Sequence, residues 1–488
     1  MTITQKITDN NSVGNHHPDY DRFFKSWSKV RDCMDGENVI KSKQEQYLPR
    51  PMGMSGEYSE SYDAYIERAH FPLITSYALS GALGAIITKL PQFNVPPELD
   101  YIIKNATKDG RSIQQLFLDI VIEILQTGRV PLLVDLLKSN NEFRFVQYKA
   151  EELINWKSSL PGSDQSLTLA VIEESIPSDD DIFSHATDTV YRVLSLDKQG
   201  KYTSRIFGEK NDEYSEFFTT PKYMGQSYTE VPMFIAGSIS NSYDVQPIPL
   251  IPVANCSVQI YRKEADLANS EFLSCNPTLV VVGASNDDDL PNVVGSSVMI
   301  VLPNEAARVF YTKTDTAALT HVSKHIESLY EEAIRHGVAI LDNRKGVEAA
   351  EALRIRQATQ SASIYSTYLA AINAIRQGLE VMCKWSGHDP KLVVIDAPDS
   401  LAHGIPDPAV MKEVIEGFGV GVVPMTVIHR YLVYSGLLDQ QVSYEEYLKL
   451  LDDQQKLKKE SELANSGKPE GQEEEPRVDA EGNPIAPA

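Results

Sequence analysis

A chain of 488 residues outgrows the single core that about 250–300 residues can share, so two or more packed regions are expected. Its 42% apolar and 23% charged residues are those of an ordinary soluble folder, and a formal charge of −23 runs against a protein that grips duplex DNA by neutralising its phosphates. The polar N-terminus has no secretory apolar region, and the apolar span 77–87 is about half of the ~20 residues that cross a bilayer, so neither secretion nor membrane insertion is expected.

Tyr20, Phe23, Phe24, Trp27 and Val30 fall at 3–4 spacing and predict a short amphipathic helix over 17–34. After the Pro/Gly stretch that begins at Leu48-Pro49, a helix is predicted over 59–87, stopped at Leu90-Pro91. Asp109-Gly110-Arg111-Ser112 reads as a turn ending in an N-cap, followed by a buried helix over 113–126 that Gly128 ends. From Arg129 the character changes to short strand-like runs at 130–134, 144–148, 167–173, 189–195, 202–207 and 233–236, continuing to 248–253. Helix returns over 257–274, with Tyr261, Ala265, Ala268 and Phe272 as its apolar stripe. A small β unit is expected from the runs 277–283 and 297–302. Then come a helix over 317–337, a loop, and one long helix over 347–385 striped by Tyr365, Tyr368, Leu369, Ile372, Ile375, Leu379 and Met382. Two or three shorter helices follow over 406–450, and the Gly, Pro, Glu and Asn-rich end reads as disordered.

Candidate chemistry is sparse. No Gly-Lys-Ser/Thr loop closes a phosphate cradle, and the run Gly417, Gly419, Gly421 lacks the preceding strand and third glycine of a dinucleotide fingerprint, so it reads as helix punctuation. Gly81 and Gly84 read as close packing of small residues. The clusters Asp179-Asp180-Asp181 and Asp287-Asp288-Asp289 offer oxygen ligands, but three consecutive carboxylates point apart, and solvated loop is the favoured reading. His16-His17 and the i, i+4 pair His321 and His325 lack a third ligand, and Cys33, Cys256, Cys275 and Cys383 have no paired spacing, so no metal or cofactor is expected. No nucleophile elbow marks a serine, and no catalytic residue is assigned. Acidity alone reads as a solubility device.

Three strings carry a resemblance: Tyr62-x-x-Tyr65-x-x-Arg68-Ala69-x-Phe71 leading to Gly81; Asp109-Gly110-x-Ser112 leading to Gly128-Arg129 and Val134-Asp135; and Ala150-Glu151-Glu152-Leu153-Ile154-Asn155-Trp156-Lys157. With the order of segments, they make residues 45–450 similar to the portal proteins of tailed bacteriophages. The resemblance implies an α+β, mainly helical portal fold. Its expected parts are an N-terminal arm and helix (1–45), a wing of helices and then strands (46–256), a first stem helix (257–275) and a small β clip (276–315). A second stem helix (316–338), a tunnel loop (339–347), a long kinked helix (348–386), a helical crown (387–455) and a disordered acidic tail (456–488) complete it. It further implies a structural, non-enzymatic ring, commonly of twelve copies, at one vertex of a virion capsid assembled in the host cytoplasm. The implied partners are the major capsid protein, the terminase large subunit, a head-tail adaptor and the double-stranded DNA passing through the channel. The clip and stem carry no diagnostic string, and their bounds rest on analogy. An acidic lumen would keep a sliding duplex centred, and Arg344 and Lys345, on the expected tunnel loop, break that acidity as local phosphate contacts; an exposed basic turn is the other reading. The competing classes are a metal-dependent nuclease or phosphoryl-transfer enzyme built on the aspartate clusters, and a scaffold or adaptor without a channel.

Overall fold

The structure, a computed structural model, describes residues 13–54, 59–137, 142–158, 166–177, 185–210, 213–219, 222–223, 226–275, 279–283, 308–311, 316–337, 350–398, 412, 416–418, 420, 423–434, 438 and 442–466. Helix α1 (Pro18–Asp35) begins where Pro18, with no N–H to leave unsatisfied, occupies the first turn and the His17 ring accepts a hydrogen bond from the Asp19 amide. After α2 (Glu37–Ser42) come α3 (Ser59–Arg68) and α4 (Ile74–Ile87). The single helix expected over 59–87 is thus two. Pro72 disfavours helical backbone at Phe71, and the chain turns there. The short strand β1 (Gln92–Asn94) and helix α5 (Tyr101–Lys104) precede α6 (Ile113–Thr127), which has both its caps: a reciprocal Ser112/Gln115 box at the start and left-handed Gly128 at the end.

Ten strands follow: β2 (Arg129–Leu137), β3 (Glu142–Gln147), β4 (Leu153–Ser158), β5 (Leu167–Pro177), β6 (Thr187–Leu196), β7 (Tyr202–Lys210), β8 (Glu213–Thr219), β9 (Lys222–Tyr223), β10 (Gln226–Ser227) and β11 (Met233–Gly237). They form an antiparallel three-stranded sheet in the order β11-β2-β3, a five-stranded meander β4 to β8, and a β9–β10 pair. Then come α7 (Ile251–Cys275), β12 (Leu279–Val282), β13 (Arg308–Tyr311), α8 (Thr316–Gly337), α9 (Ala350–Trp385) and β14 (Val394–Asp396), which pairs with β1, and lastly α10 (Met425–Tyr434) and α11 (Tyr444–Ser466).

Two expectations are corrected here, and one lies outside the described residues. The run 248–253, expected to continue the strands, enters α7 at Ile251, because Pro252 sits in a first helical turn where it is tolerated. The partner of β12 is Arg308–Tyr311, and the expected run 297–302 lies outside the described residues. Helix α11 continues to Ser466, inside the segment 456–488 expected to be disordered, since Leu, Lys, Glu and Ala carry it until Gly467 and Pro469.

The chain divides into two units, residues 1–401 and 402–488. The core of the first is organised by α9, whose Tyr368, Ile372, Ile375, Leu379 and Met382 are buried as the stripe predicts. Tyr368 meets Phe117 of α6 edge-on at 5.1 Å, and Gly378 lets the backbone of α9 lie directly against Phe145 of β3. Trp27, fully buried, donates its indole N–H to the Thr127 carbonyl at 2.8 Å and fixes α1 on the end of α6. In the second unit the His429 ring of α10 lies 5.5 and 5.2 Å from the Tyr444 and Tyr447 rings of α11.

Candidate assembly surface

Helix α7 has 25 residues and is therefore about 37 Å long at 1.5 Å per residue, but its buried residues all lie between Val253 and Ala265. Its last turns leave the core, and α8, whose described residues are buried only at Ile326, Leu329 and Ala333, packs along it. At the outer end of this pair β12 and β13 form an antiparallel hairpin in the register Leu279↔Tyr311 to Val282↔Arg308. Phe272, Leu273, Val282, Val309, Phe310 and Tyr311 gather at this end with 38–55% of their surface exposed. Among the described residues no third strand joins this pair, and its exposed apolar side chains make it the candidate contact surface.

The first string positions this surface. Tyr62, Tyr65 and Arg68 recur every third residue on one face of α3. The Tyr65 hydroxyl donates to Asp266 of α7 at 2.7 Å, and the Arg68 guanidinium lies 3.8 Å from the centre of the Phe272 ring. Tyr62 donates to the Leu48 carbonyl at 2.6 Å, and Phe71 meets Tyr261 edge-on at 5.8 Å. Burial, reinforced by the Asp266 carboxylate, raises the Tyr65 phenol well above its ordinary value, so it stays a donor. The string is a latch between α3 and the exposed half of α7.

The other strings build the anchor beneath. Arg31 of α1 bonds Glu123 of α6 and Glu151 before β4; burial disfavours its charge, but the hydrogen bonds to Glu151 and Glu123 outweigh it and hold its pKa above normal. Trp156 stacks on His17 at 3.9 Å and carries the Arg129 guanidinium 4.1 Å from its ring. Arg129 is fully buried, and its three side-chain nitrogens have no hydrogen-bond partner among the described residues. Burial pushes that guanidinium down to about 9, partly opposed by Asp19 and Asp244. Asp135 of the second string bonds Lys108 at 2.6 Å.

The remaining candidates do not converge. His16 pairs with Asp21 at 2.9 Å, His17 serves as a cap, and His321 and His325 are exposed on α8; among the described residues no three His, Cys, Asp or Glu side chains are grouped to hold a metal. Gly84 faces open space, and a side chain at Gly417 would meet Val423. Asp179-Asp180-Asp181, Asp287-Asp288-Asp289, Gly419, Gly421, Arg344 and Lys345 lie outside the described residues. No described helix is long and apolar enough to cross a membrane. The Arg31–Glu123–Glu151 cluster was not foreseeable, since its partners lie 92 and 120 residues from Arg31. The exposed hairpin had one signal, the Val280-Val281-Val282 run of β12.

The chain is a mixed helix-and-sheet protein whose α7–α8 pair carries an antiparallel strand pair with exposed apolar side chains. A family model described as "Domain of unknown function (DUF4055)" matches residues 249–386, from the approach to α7 through the end of α9. No curated protein matches. Among solved structures the chain is similar to one in "Virion of native gene transfer agent (GTA) particle", at 12% identity and a TM-score of 0.37 over 80% of this chain and 94% of that one. It is similar also to one in "Neck of empty GTA particle computed with C6 symmetry", at 13% identity and a TM-score of 0.36, covering 77% and 90%. A third likeness, to "Neck of native GTA particle computed with C12 symmetry", has 12% identity and a TM-score of 0.35, covering 72% and 86%.

Proposed function

We propose that the chain is a portal subunit: a structural, non-catalytic protein that closes into a ring at one capsid vertex and gives DNA a channel for packaging and ejection. The observation that carries this reading is the β12–β13 pair at the outer end of α7 and α8, whose exposed Val309, Phe310 and Tyr311 suit a neighbouring copy. Its support is the role of the three strings, the first of which ties α3 to α7 while the others join α1, α6 and the strands, rather than assembling a reactive site. On this reading α7 and α8 are the stem, the hairpin belongs to the clip where the terminase motor and later the head-tail adaptor dock, and the capsid protein surrounds the ring.

Light scattering and negative-stain images of the full chain test it. The expected result is a closed ring with an axial channel, near the mass of a dodecamer. A monomer in solution together with assembled heads that lack rings overturns the reading, and particles without an axial channel point to a scaffold instead. Val309→Ser with Phe310→Ser is expected to leave a folded monomer with unchanged melting temperature, because both side chains are already exposed, while abolishing higher-mass species.

A further inference from the structure

A groove of about 730 Å³ lies between α1 and α7. Lys25 and Lys29 of α1, Lys43 after α2, and Arg262 of α7 line it, and among the described residues none of its lining side chains is acidic. Among the described residues the only counter-charge in contact is Asp32, itself buried, which takes Lys43 at 2.6 and 2.7 Å. Lys29 bonds the neutral Asn255 at 3.1 Å, and Arg262 gives its Nε–H to the Tyr47 carbonyl at 2.6 Å. Neither these two nor Lys25 has a carboxylate partner among the described residues. Phe24 and Val258 add apolar wall between the cations.

A positive concavity is unexpected on a chain with 68 acidic and 45 basic residues. We infer that this groove receives an acidic segment of a second copy of the chain. Copies that each carry −23 repel until a local patch of opposite sign meets an acidic surface, and such a patch fixes the register of association more than its strength. Duplex DNA fits less well: phosphates find no use for Phe24 and Val258, which suit a segment that places an apolar side chain between its carboxylates. The inference rests on the ring reading for its second copy.

The test is mass photometry of the full chain across a sodium chloride series, comparing the wild type with Lys25→Glu/Lys29→Glu and with the milder Lys25→Gln/Lys29→Gln. The concentration for half-assembly is expected to rise about tenfold in the reversed variant and less in the neutral one, with melting temperatures unchanged. Unchanged assembly in both variants overturns the inference. So does a fluorescent DNA duplex that binds the wild type and is lost with the reversal while assembly persists. If the wild type associates without closing into channelled rings yet the reversal still weakens association, the ring reading falls and the groove stands; if closed rings form in every variant with the same half-assembly concentration, the groove falls and the ring stands.

Discussion

Gly128 shows how one residue joins two layers of the fold. Its φ of +77° ends α6, and a side chain there would place Cβ 2.7 Å from the carbonyl oxygens of both Gln246 and Pro247. Neither backbone atom can swing away, so Gly128→Ala combines left-handed strain with overpacking and is expected to cost roughly 2–4 kcal/mol, read as a lower urea midpoint at unchanged slope. His17 offers a second test. Burial lowers its pKa below 6.5, and nearby Arg129 acts in the same direction while Asp19 and Asp244 oppose it. The unfolded chain therefore binds the proton more readily, so the contribution of His17 is full above about pH 6.5 and declines as pH falls through the lower folded value. The wild type should lose more stability between pH 7.5 and 5.5 than His17→Asn, which keeps a cap acceptor without titrating; equal losses would remove His17 from the account.

At the scale of elements, what was legible followed local chemistry. Helix α6 was readable because Ser112, its apolar period and Gly128 all stated the same helix, and α9 because its stripe persists over many turns. The break after α3 was missed because the apolar period continues past Pro72, whose local effect overrides it. The start of α7 was missed because Ile248-Pro249-Leu250-Ile251-Pro252-Val253 has the composition of a strand, and only packing against α1 and α4 makes it helical. The assembly surface was legible only as separate parts: Tyr65 and Arg68 were noticed as a string, while their partners Asp266 and Phe272 lie about two hundred residues on. Where α9 meets β3 the contact is testable. A Cβ at Gly378 would overlap the Phe145 ring, fully buried, and come within 3.3 Å of Val134. Alanine favours a helix by about 1 kcal/mol over glycine, yet overpacking of about 1–3 kcal/mol should exceed it. Gly378→Ala should therefore melt lower than the wild type, and Gly378→Ala with Phe145→Leu should recover part of the loss; a higher melting point for the single variant would show that the ring yields.

Over the whole molecule, charge is the property that a channel would use. With −23 on each copy, a ring accumulates a field that repels phosphate, and a duplex inside it stays mobile unless a local cation meets it. Arg344 and Lys345 follow α8 and precede α9 in the sequence, and we propose for them that local role. Each contact would release bound counterions, so its effect should be weak and steeply dependent on salt. Arg344→Glu with Lys345→Glu is therefore expected to leave ring mass unchanged while filled heads retain less DNA, with the deficit largest at low ionic strength, where the wild-type contacts are strongest. If instead rings fail to form, the connection is an interface between copies, and the cations serve the subunits rather than the duplex. If rings form and DNA retention is the same at every salt concentration, the pair is an exposed basic turn, and acidity alone governs the passage of DNA.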